Sequence, residues 1–524
     1  MTIFSEIFPT SRSLLGPKAW QRLMAVVGDG MEPAGFPDVL SQQGEPGLPF
    51  LPGLACIELA RYQVRSADAP TVTTAAHILN PTLQIVSVSW KNLVPLLTRS
   101  KSRDLAHVLP CNENILVWQD PETGEVRTQS AEPGDLLAIK LVAEEIDPAD
   151  AAREAGVSVG VIDAVMREAV WKGLVIAPQS KLRREKAIAD LSPEKCFAAA
   201  EVFTLQWHLT QECDLHCRHC YDRTSREAFP FERALALLDE LRGFCRSRFA
   251  RGQVSLSGGN PLLYPHFFEL YRAAAERDFM IAILGNATDR DSIERIMAIR
   301  MPVYYQVSLE GLEAHNDEIR GAGNYRRTMD FLRMLTELGV PNMVMLTLTR
   351  HNPDQVIPLA EELEGITDGL TFNRLALFGE GANLELPSTE EYRLFLERYA
   401  SALEDHPVLS LKDSLLNSIF ERENSGLFGG CAGYGCGAAF NFVSLLSDGE
   451  VHACRKFPSA IGNIFSQSLE DVYVSEAASR YRRGSSACAG CDLNAVCRGC
   501  PAVTASLGLD PFTDKDPFCF RIPA

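Results

Sequence analysis

The stretch VFTLQWHLTQECDLHCRHCYD, residues 202–222, decides how the chain reads. Its opening VFTLQWHLT is rich in β-branched and aromatic residues and reads as a strand. Directly after it come Cys213, Cys217 and Cys220. A soft-metal site normally takes four ligands, and no fourth cysteine follows nearby. Two completions fit the residues. One is an iron–sulfur cluster with one iron free of protein ligands; the other is a zinc site closed by His216 or His219.

Working outward, strand-like and helix-like runs alternate from 198 to 385. VFTLQWHLT, GQVSLSGG, MIAILGNA, VYYQVSLEG, MVMLTLTR and GLTFNRLAL read as strands, and segments such as FERALALLDELRGF and YRRTMDFLRMLTELG separate them as helices. Six such units in series predict an α/β fold with a parallel sheet curled into a partial (β/α)6 barrel. Active sites of such sheets lie at the carboxyl ends of the strands, which is where the three cysteines fall.

Composition bounds the setting. With 524 residues, several domains are expected. The net charge of −18 argues against a nucleic-acid partner, which needs a clustered cationic surface. No apolar run has the length of a membrane span, and Glu6 interrupts the amino-terminal segment where a signal peptide would be basic and then apolar, so a cytoplasmic chain is expected. Of the 15 cysteines, those at 213–220 and 431–519 cluster; Cys56, Cys111, Cys196 and Cys245 are scattered and read as small buried hydrophobes. Clusters in a reducing compartment read as metal sites.

Residues 1–110 read as a helical domain, from the apolar spacing in KAWQRLMAVV and PGLACIELARY. Residues 111–180 begin with a hairpin around Asp120-Pro-Glu-Thr-Gly124. Three amphipathic segments follow, with Asp147 and Ser158 as N-caps and Gly156 and Gly173 as stops, which makes a small winged helix. Its third helix carries Arg167 and Lys172 against Asp163 and Glu168, so a DNA duplex would find little to hold. The charged segment 180–195 reads as a linker, 386–430 as a helical connection, and 431–524 as a loop-rich tail. The tail holds Cys431, Cys436, Cys454, Cys488, Cys491, Cys497, Cys500 and Cys519, enough for two four-thiolate sites of iron–sulfur or zinc type.

The CX3CX2C pattern after a first strand, with the strand ends that follow, resembles the radical SAM superfamily. The resemblance implies a [4Fe–4S] cluster on Cys213, Cys217 and Cys220, whose open iron takes S-adenosylmethionine (SAM). Ser257-Gly-Gly-Asn-Pro261 resembles the family's glycine motif, so Gly258, Gly259, Asn260 and Pro261 would meet the SAM methionine, with Asn260 in place of the usual Glu. Gly285-Asn286-Ala287-Thr288 is similar to the family's Asn-Gly-Thr turn. SLEGLEAHNDEIRG implies that Ser308 contacts the ribose and Arg320 the SAM carboxylate, with Glu310 and Asn316 each replacing an Asp.

The tail resembles the SPASM extension of peptide-modifying members. That resemblance implies one auxiliary [4Fe–4S] cluster on Cys431, Cys436, Cys454 and Cys500 and another on Cys488, Cys491, Cys497 and Cys519. It departs in having four residues between Cys431 and Cys436 and two before Cys500. Arg455 stands where sulfatase-maturing relatives carry an Asp base, so that oxidation does not transfer. With all four ligands supplied by protein, both auxiliary clusters read as electron carriers.

The winged helix resembles a recognition element that adds the leader of a ribosomal precursor peptide as an edge strand. The layout is similar to maturases of selenobiotic, thio(seleno)oxazole-forming peptides. The implied function is a radical SAM peptide maturase with three [4Fe–4S] clusters and a flavodoxin- or ferredoxin-type reductant. Reductive SAM cleavage would give a 5′-deoxyadenosyl radical that takes hydrogen from the peptide, installing a thioether, an epimer, a crosslink or a heterocycle. The alternative is a non-catalytic iron–sulfur or zinc carrier of peptide or electrons, which would cleave no SAM.

Overall fold

The computed structural model describes residues 2–27, 30–43, 47–67, 74–98, 105–185 and 195–521. They form two compact units, Met1–Gln179 and Ser180–Ala524. Most of the expected linker, residues 186–194, lies outside the described residues, as does the Cys196 side chain.

The first unit begins with helices Thr2–Ile7, Pro9–Val27, Phe36–Gln43 and Leu51–Arg65. Phe8, Trp20, Phe36 and Leu54 fill their common core. The buried Glu58 carboxylate accepts hydrogen bonds from the Thr10 amide at 2.5 Å and the Ser11 hydroxyl at 2.6 Å, which pins the second helix to the fourth. The helical reading of 1–110 fails past Arg65. Residues Ile78–Leu79 are strand β1 and Gln84–Lys91 strand β2. The cause is visible in QIVSVSWK, where apolar residues recur every second position, the strand period rather than the helical one.

Strand β2 pairs antiparallel with β3 (Leu109–Gln119), which pairs with β4 (Val126–Ser130) across the expected Asp120–Gly124 turn, where Gly124 has φ 71°. Helices Pro133–Ala143, Pro148–Ala155 and Val159–Trp171 follow, and β5 (Val175–Ile176) pairs back with β1. Asp147 caps the second of these helices, accepting from the Ala149 amide at 2.7 Å. Ser158 occupies the N-cap position of the third without a side-chain bond. The hairpin and three helices expected after residue 111 are present, and β2, drawn from the segment read as helical, adds a third strand to the hairpin.

In the second unit six parallel strands run in sequence order: β6 (Val202–His208), β7 (Arg251–Ser257), β8 (Met280–Leu284), β9 (Tyr304–Ser308), β10 (Asn342–Leu348) and β11 (Gly369–Arg374). Helices cover the sheet because their apolar residues recur every three to four positions. Phe231–Ser247, for example, buries Ala234, Leu237, Leu238, Leu241, Phe244 and Cys245. Trp207 on β6 is fully buried and packs edge-on against Phe229; burying a side chain of this size contributes about 2–3 kcal/mol.

The tail is not merely loops. Strand β12 (Phe442–Leu445) pairs in parallel with β6 on the side away from β7, and β13 (Glu450–His452) and β14 (Ala460–Asn463) continue the sheet antiparallel. The β12–β13 turn carries Asp448-Gly449 with Gly449 at φ 85°, the hairpin dipeptide.

Candidate active site

Beyond β6 the chain leaves the sheet, and residues 209–230 arch over the carboxyl ends of the neighbouring strands before the helix at Phe231. Cys213, Cys217 and Cys220 are half-buried on this arch. Backbone bonds fix it from several sides: Gly259 and Asn260 donate to the Thr210 and Glu212 carbonyls at 2.9 and 2.8 Å, and Glu380 donates to the Cys220 carbonyl at 2.8 Å. Gly258 and Gly259 also answer a demand beyond the expected ligand approach. A Cβ on Gly258 would sit 2.3 Å from the Thr210 carbonyl oxygen, and one on Gly259 2.2 Å from that of Glu212. The crowding atoms belong to the cysteine arch itself. Gly379, which the sequence reading passed over, plays the same part after β11, where a Cβ would lie 2.2 Å from the Tyr221 carbonyl.

Three strand ends then converge on the arch. The Asn260 side chain caps the short turn at buried Pro261, accepting from the Leu262 amide at 3.3 Å, and donates to Asp214 Oδ1 at 3.0 Å. Asn286, just past β8, donates to the same oxygen at 2.6 Å and lies 3.6 Å from Cys213 Sγ. Partial burial pushes the Asp214 carboxyl up, but the bonds from Asn286 and Asn260 outweigh it and hold it below the ordinary carboxylate range. Asn260 thus positions Asp214, an acid within the cysteine motif that the sequence reading did not single out.

Past β9, Glu310 and Arg320 form a buried ion pair at 3.1 Å, and Arg320 also donates to Asn286 Oδ1 at 3.3 Å. Arg320 Nε is buried without a partner. Glu310 is 2% exposed; it accepts from the Thr347 amide at 2.8 Å and lies 3.4 Å from His219 Nε2. Asn316 accepts from the Glu310 amide at 3.1 Å. Ser308 closes β9 at the same end, half-buried. Burial pushes the Cys217 thiol up to about 11, with Arg320 opposing and Glu310, Cys213 and Cys220 reinforcing the rise.

The two histidines offered to a zinc ion each have one ring nitrogen turned to another side chain. His219 faces Glu310, and exposed His216 lies 2.9 Å from Arg223. Among the described residues no three His, Cys, Asp or Glu side chains converge as ligands of a single ion do. A cluster with one thiolate on each of several irons needs no such convergence. Three neighbouring thiols, no fourth, and a buried guanidinium with an unused N–H beside them fit a cluster plus a carboxylate-bearing ligand.

The tail cysteines fall into two groups. Cys431, Cys436, Cys454 and Cys500 lie near one another. Cys488 neighbours Cys491 and Cys519, and Cys519 neighbours Cys497. Lys412 and Lys456 face Cys431 and Cys454 of the first group. An unforeseen ion triad lies between the groups and the barrel. Arg374, at the end of β11, donates to Asp413 at 2.8 Å and forks onto both Asp516 oxygens at 3.0 and 2.8 Å; Asp516 in turn accepts from the Cys500 amide at 2.7 Å. Burial pushes Asp516 up, and Arg374 together with the Phe518 and Cys500 amides more than reverses it.

Comparison with known proteins agrees with this architecture. Residues 207–363 match the radical SAM superfamily, and residues 436–501 match the SPASM iron–sulfur cluster-binding domain. The subtilosin biosynthesis protein AlbA of Bacillus subtilis is 24% identical over 280 residues, covering 51% of this chain and 59% of AlbA. The AdoMet-dependent heme synthase of Methanosarcina barkeri is 24% identical over 61% of this chain and 96% of its own. The crystal structure of Streptococcus suis SuiB bound to S-adenosylmethionine superposes with a TM-score of 0.50 at 17% identity, over 78% of this chain and 96% of SuiB, a likeness of fold. This chain carries a radical SAM domain followed by a SPASM domain.

Proposed function

We propose that this protein is a radical SAM peptide maturase. The observation that carries the reading is the arch. Three thiols stand on one loop at the carboxyl end of the sheet, and the ends of β7, β8 and β9 reach it through Asn260, Asn286 and the Glu310–Arg320 pair. Cys213, Cys217 and Cys220 would hold a [4Fe–4S] cluster with one iron left for SAM. Arg320 is suited to the SAM carboxylate, because its unused Nε–H would otherwise stay buried without a partner. When bound, cluster and SAM supply a 5′-deoxyadenosyl radical able to take hydrogen from an unactivated carbon.

The chain's own residues bind, orient and exclude water. Asp214, held ionised by two amides, orients the arch; Glu310 neutralises Arg320 and fixes its plane; Gly258, Ser308 and Pro261 shape the rim. Auxiliary [4Fe–4S] clusters on Cys431, Cys436, Cys454 and Cys500, and on Cys488, Cys491, Cys497 and Cys519, would bring the total to three. Their four thiolates each favour electron carriage over substrate ligation. A flavodoxin- or ferredoxin-type protein in the cytoplasm would supply the electron.

A peptide substrate is supported by the name of AlbA, a bacteriocin biosynthesis protein, and by the SuiB structure with precursor peptide SuiA. The first unit supports it independently. Its three-stranded sheet has β2 and β4 as edges, and an extended leader can add to such an edge through backbone hydrogen bonds. The test is anaerobic: reconstitute with iron and sulfide, add SAM and reductant, and measure 5′-deoxyadenosine by mass spectrometry. Product from the intact protein supports the reading. A fully iron-loaded protein that yields none, alone and with the precursor peptide of a neighbouring gene, overturns it in favour of a carrier.

A further inference from the structure

His208 ends β6 on the face opposite the buried Trp207, since side chains alternate along a strand. It is 2% exposed, yet neither ring nitrogen has a hydrogen-bond partner. An imidazole carries at least one N–H, and leaving it buried and unbonded is unfavourable. Its ring stands edge-on to Tyr221, 6.3 Å between centroids, and Tyr221 directly follows Cys220 of the arch. Arg455 also lies against Tyr221, its guanidinium carbon 5.7 Å from the ring centroid. Arg455 directly follows Cys454.

These three side chains therefore span the space between the arch and the first tail group. The neighbouring charges there are already matched. Arg226 pairs with Asp222 at 2.7 Å and Asp448 at 2.6 Å. His452 accepts from the Ser459 amide at 3.0 Å, and its other nitrogen lies 3.1 Å from Glu450. Arg455 is different. Among the described residues it forms no ion pair, and its buried Nε–H has no acceptor. Burial, with Arg455, His452 and Arg226 adding to it, holds His208 well below its ordinary value, so it is a neutral ring with one N–H to give.

We propose that Arg455, His208 and Tyr221 form a subsite for a carboxylate of the substrate, placed between the cysteine arch and Cys454. A carboxylate is the acceptor that answers both observations, because its two oxygens can take the Arg455 donors and the His208 N–H together. The subsite rests on the maturase reading for the source of its ligand: either an acidic side chain of the peptide or its terminal carboxylate. It also gives a use to the position where an Asp would serve as base in sulfatase-maturing relatives: here the residue is a cation that binds.

The test uses the full chain, reconstituted anaerobically and saturated with SAM so that Arg320 is occupied. Three probes are titrated by saturation-transfer NMR: N-acetyl-aspartate α-methylamide, N-acetylglycine, and the neutral N-acetyl-asparagine α-methylamide. At least one acid should bind about tenfold or more tightly than the neutral amide, and whichever acid binds identifies the source. Arg455→Gln should abolish the preference while leaving SAM binding intact; should that variant not fold, Arg455→Lys should retain only part of it. Equal binding of neutral and acidic probes to the wild type, or an undiminished preference in Arg455→Gln, overturns the proposal. Carboxylate selectivity in a protein that never cleaves SAM would sink the maturase reading and leave the subsite standing. Cleavage without selectivity would do the reverse.

Discussion

The arch and the tail present the same ligand atom in opposite ways. On the arch three cysteines come from one short segment, and what surrounds them is a set of polar groups with bonding capacity in reserve, such as Arg320 Nε and His219 Nδ1. In the tail each group of four is assembled from distant segments, Cys431 with Cys500 and Cys488 with Cys519, so that four thiols meet, and the buried triad of Arg374, Asp413 and Asp516 fixes the Cys500 backbone beside them. The contrast separates a site left open for a ligand from sites closed by the fold.

The sharpest way to break that contrast is Cys217→Ala. Iron on the arch should be lost and SAM cleavage should fall to background in the 5′-deoxyadenosine assay, with the tail iron retained. Cys454→Ala should do the complementary thing. About four irons per chain should disappear by colorimetric iron analysis while SAM cleavage persists and modified peptide does not form. If cleavage is lost to a similar degree in both variants, the arch and the tail are not functionally distinct.

Arg374→Met tests closure by the fold. It leaves Asp413 and Asp516 buried without their cation, and breaking such a pair costs about 3–5 kcal/mol. The midpoint of denaturant unfolding should fall accordingly; a shift below about 1 kcal/mol would show that the triad is ornamental. Asp516 adds a smaller, pH-dependent effect. Its native pKa is depressed, so its contribution is complete above the ordinary carboxylate value near 4 and drains away as pH falls toward the native one. Acid unfolding monitored by circular dichroism should lose that component in Asp516→Asn.

Much of the barrel was legible because short strand-like runs rich in β-branched residues alternate with longer amphipathic helical ones, the pattern of a parallel sheet. All six expected strands are present and in order. The tail strands β12 to β14 were missed, being three or four residues long with polar members, although Asp448-Gly449 announced their turn. Strand β2 was misread because its apolar content was noted before its period. The grouping of eight cysteines cannot be obtained from spacing, and only the resemblance supplied it. Arg374, Asp413 and Asp516 are up to 142 positions apart, so no local pattern could join them. The packing of Gly258 and Gly259 against the Thr210 and Glu212 carbonyls was not legible, since sequence shows that a Cβ is missing but never what fills its place.

The pairing of β12 with β6 has a practical consequence. A radical SAM core cut free before residue 442 would present the whole hydrogen-bonding margin of its first strand to solvent, with Phe203, Leu205 and Trp207 beside it. Unprotected margins of that kind recruit other chains and aggregate. The SPASM domain thus supplies the last three strands of the sheet that carries the arch, and the two are expected to be inherited, expressed and lost as one piece.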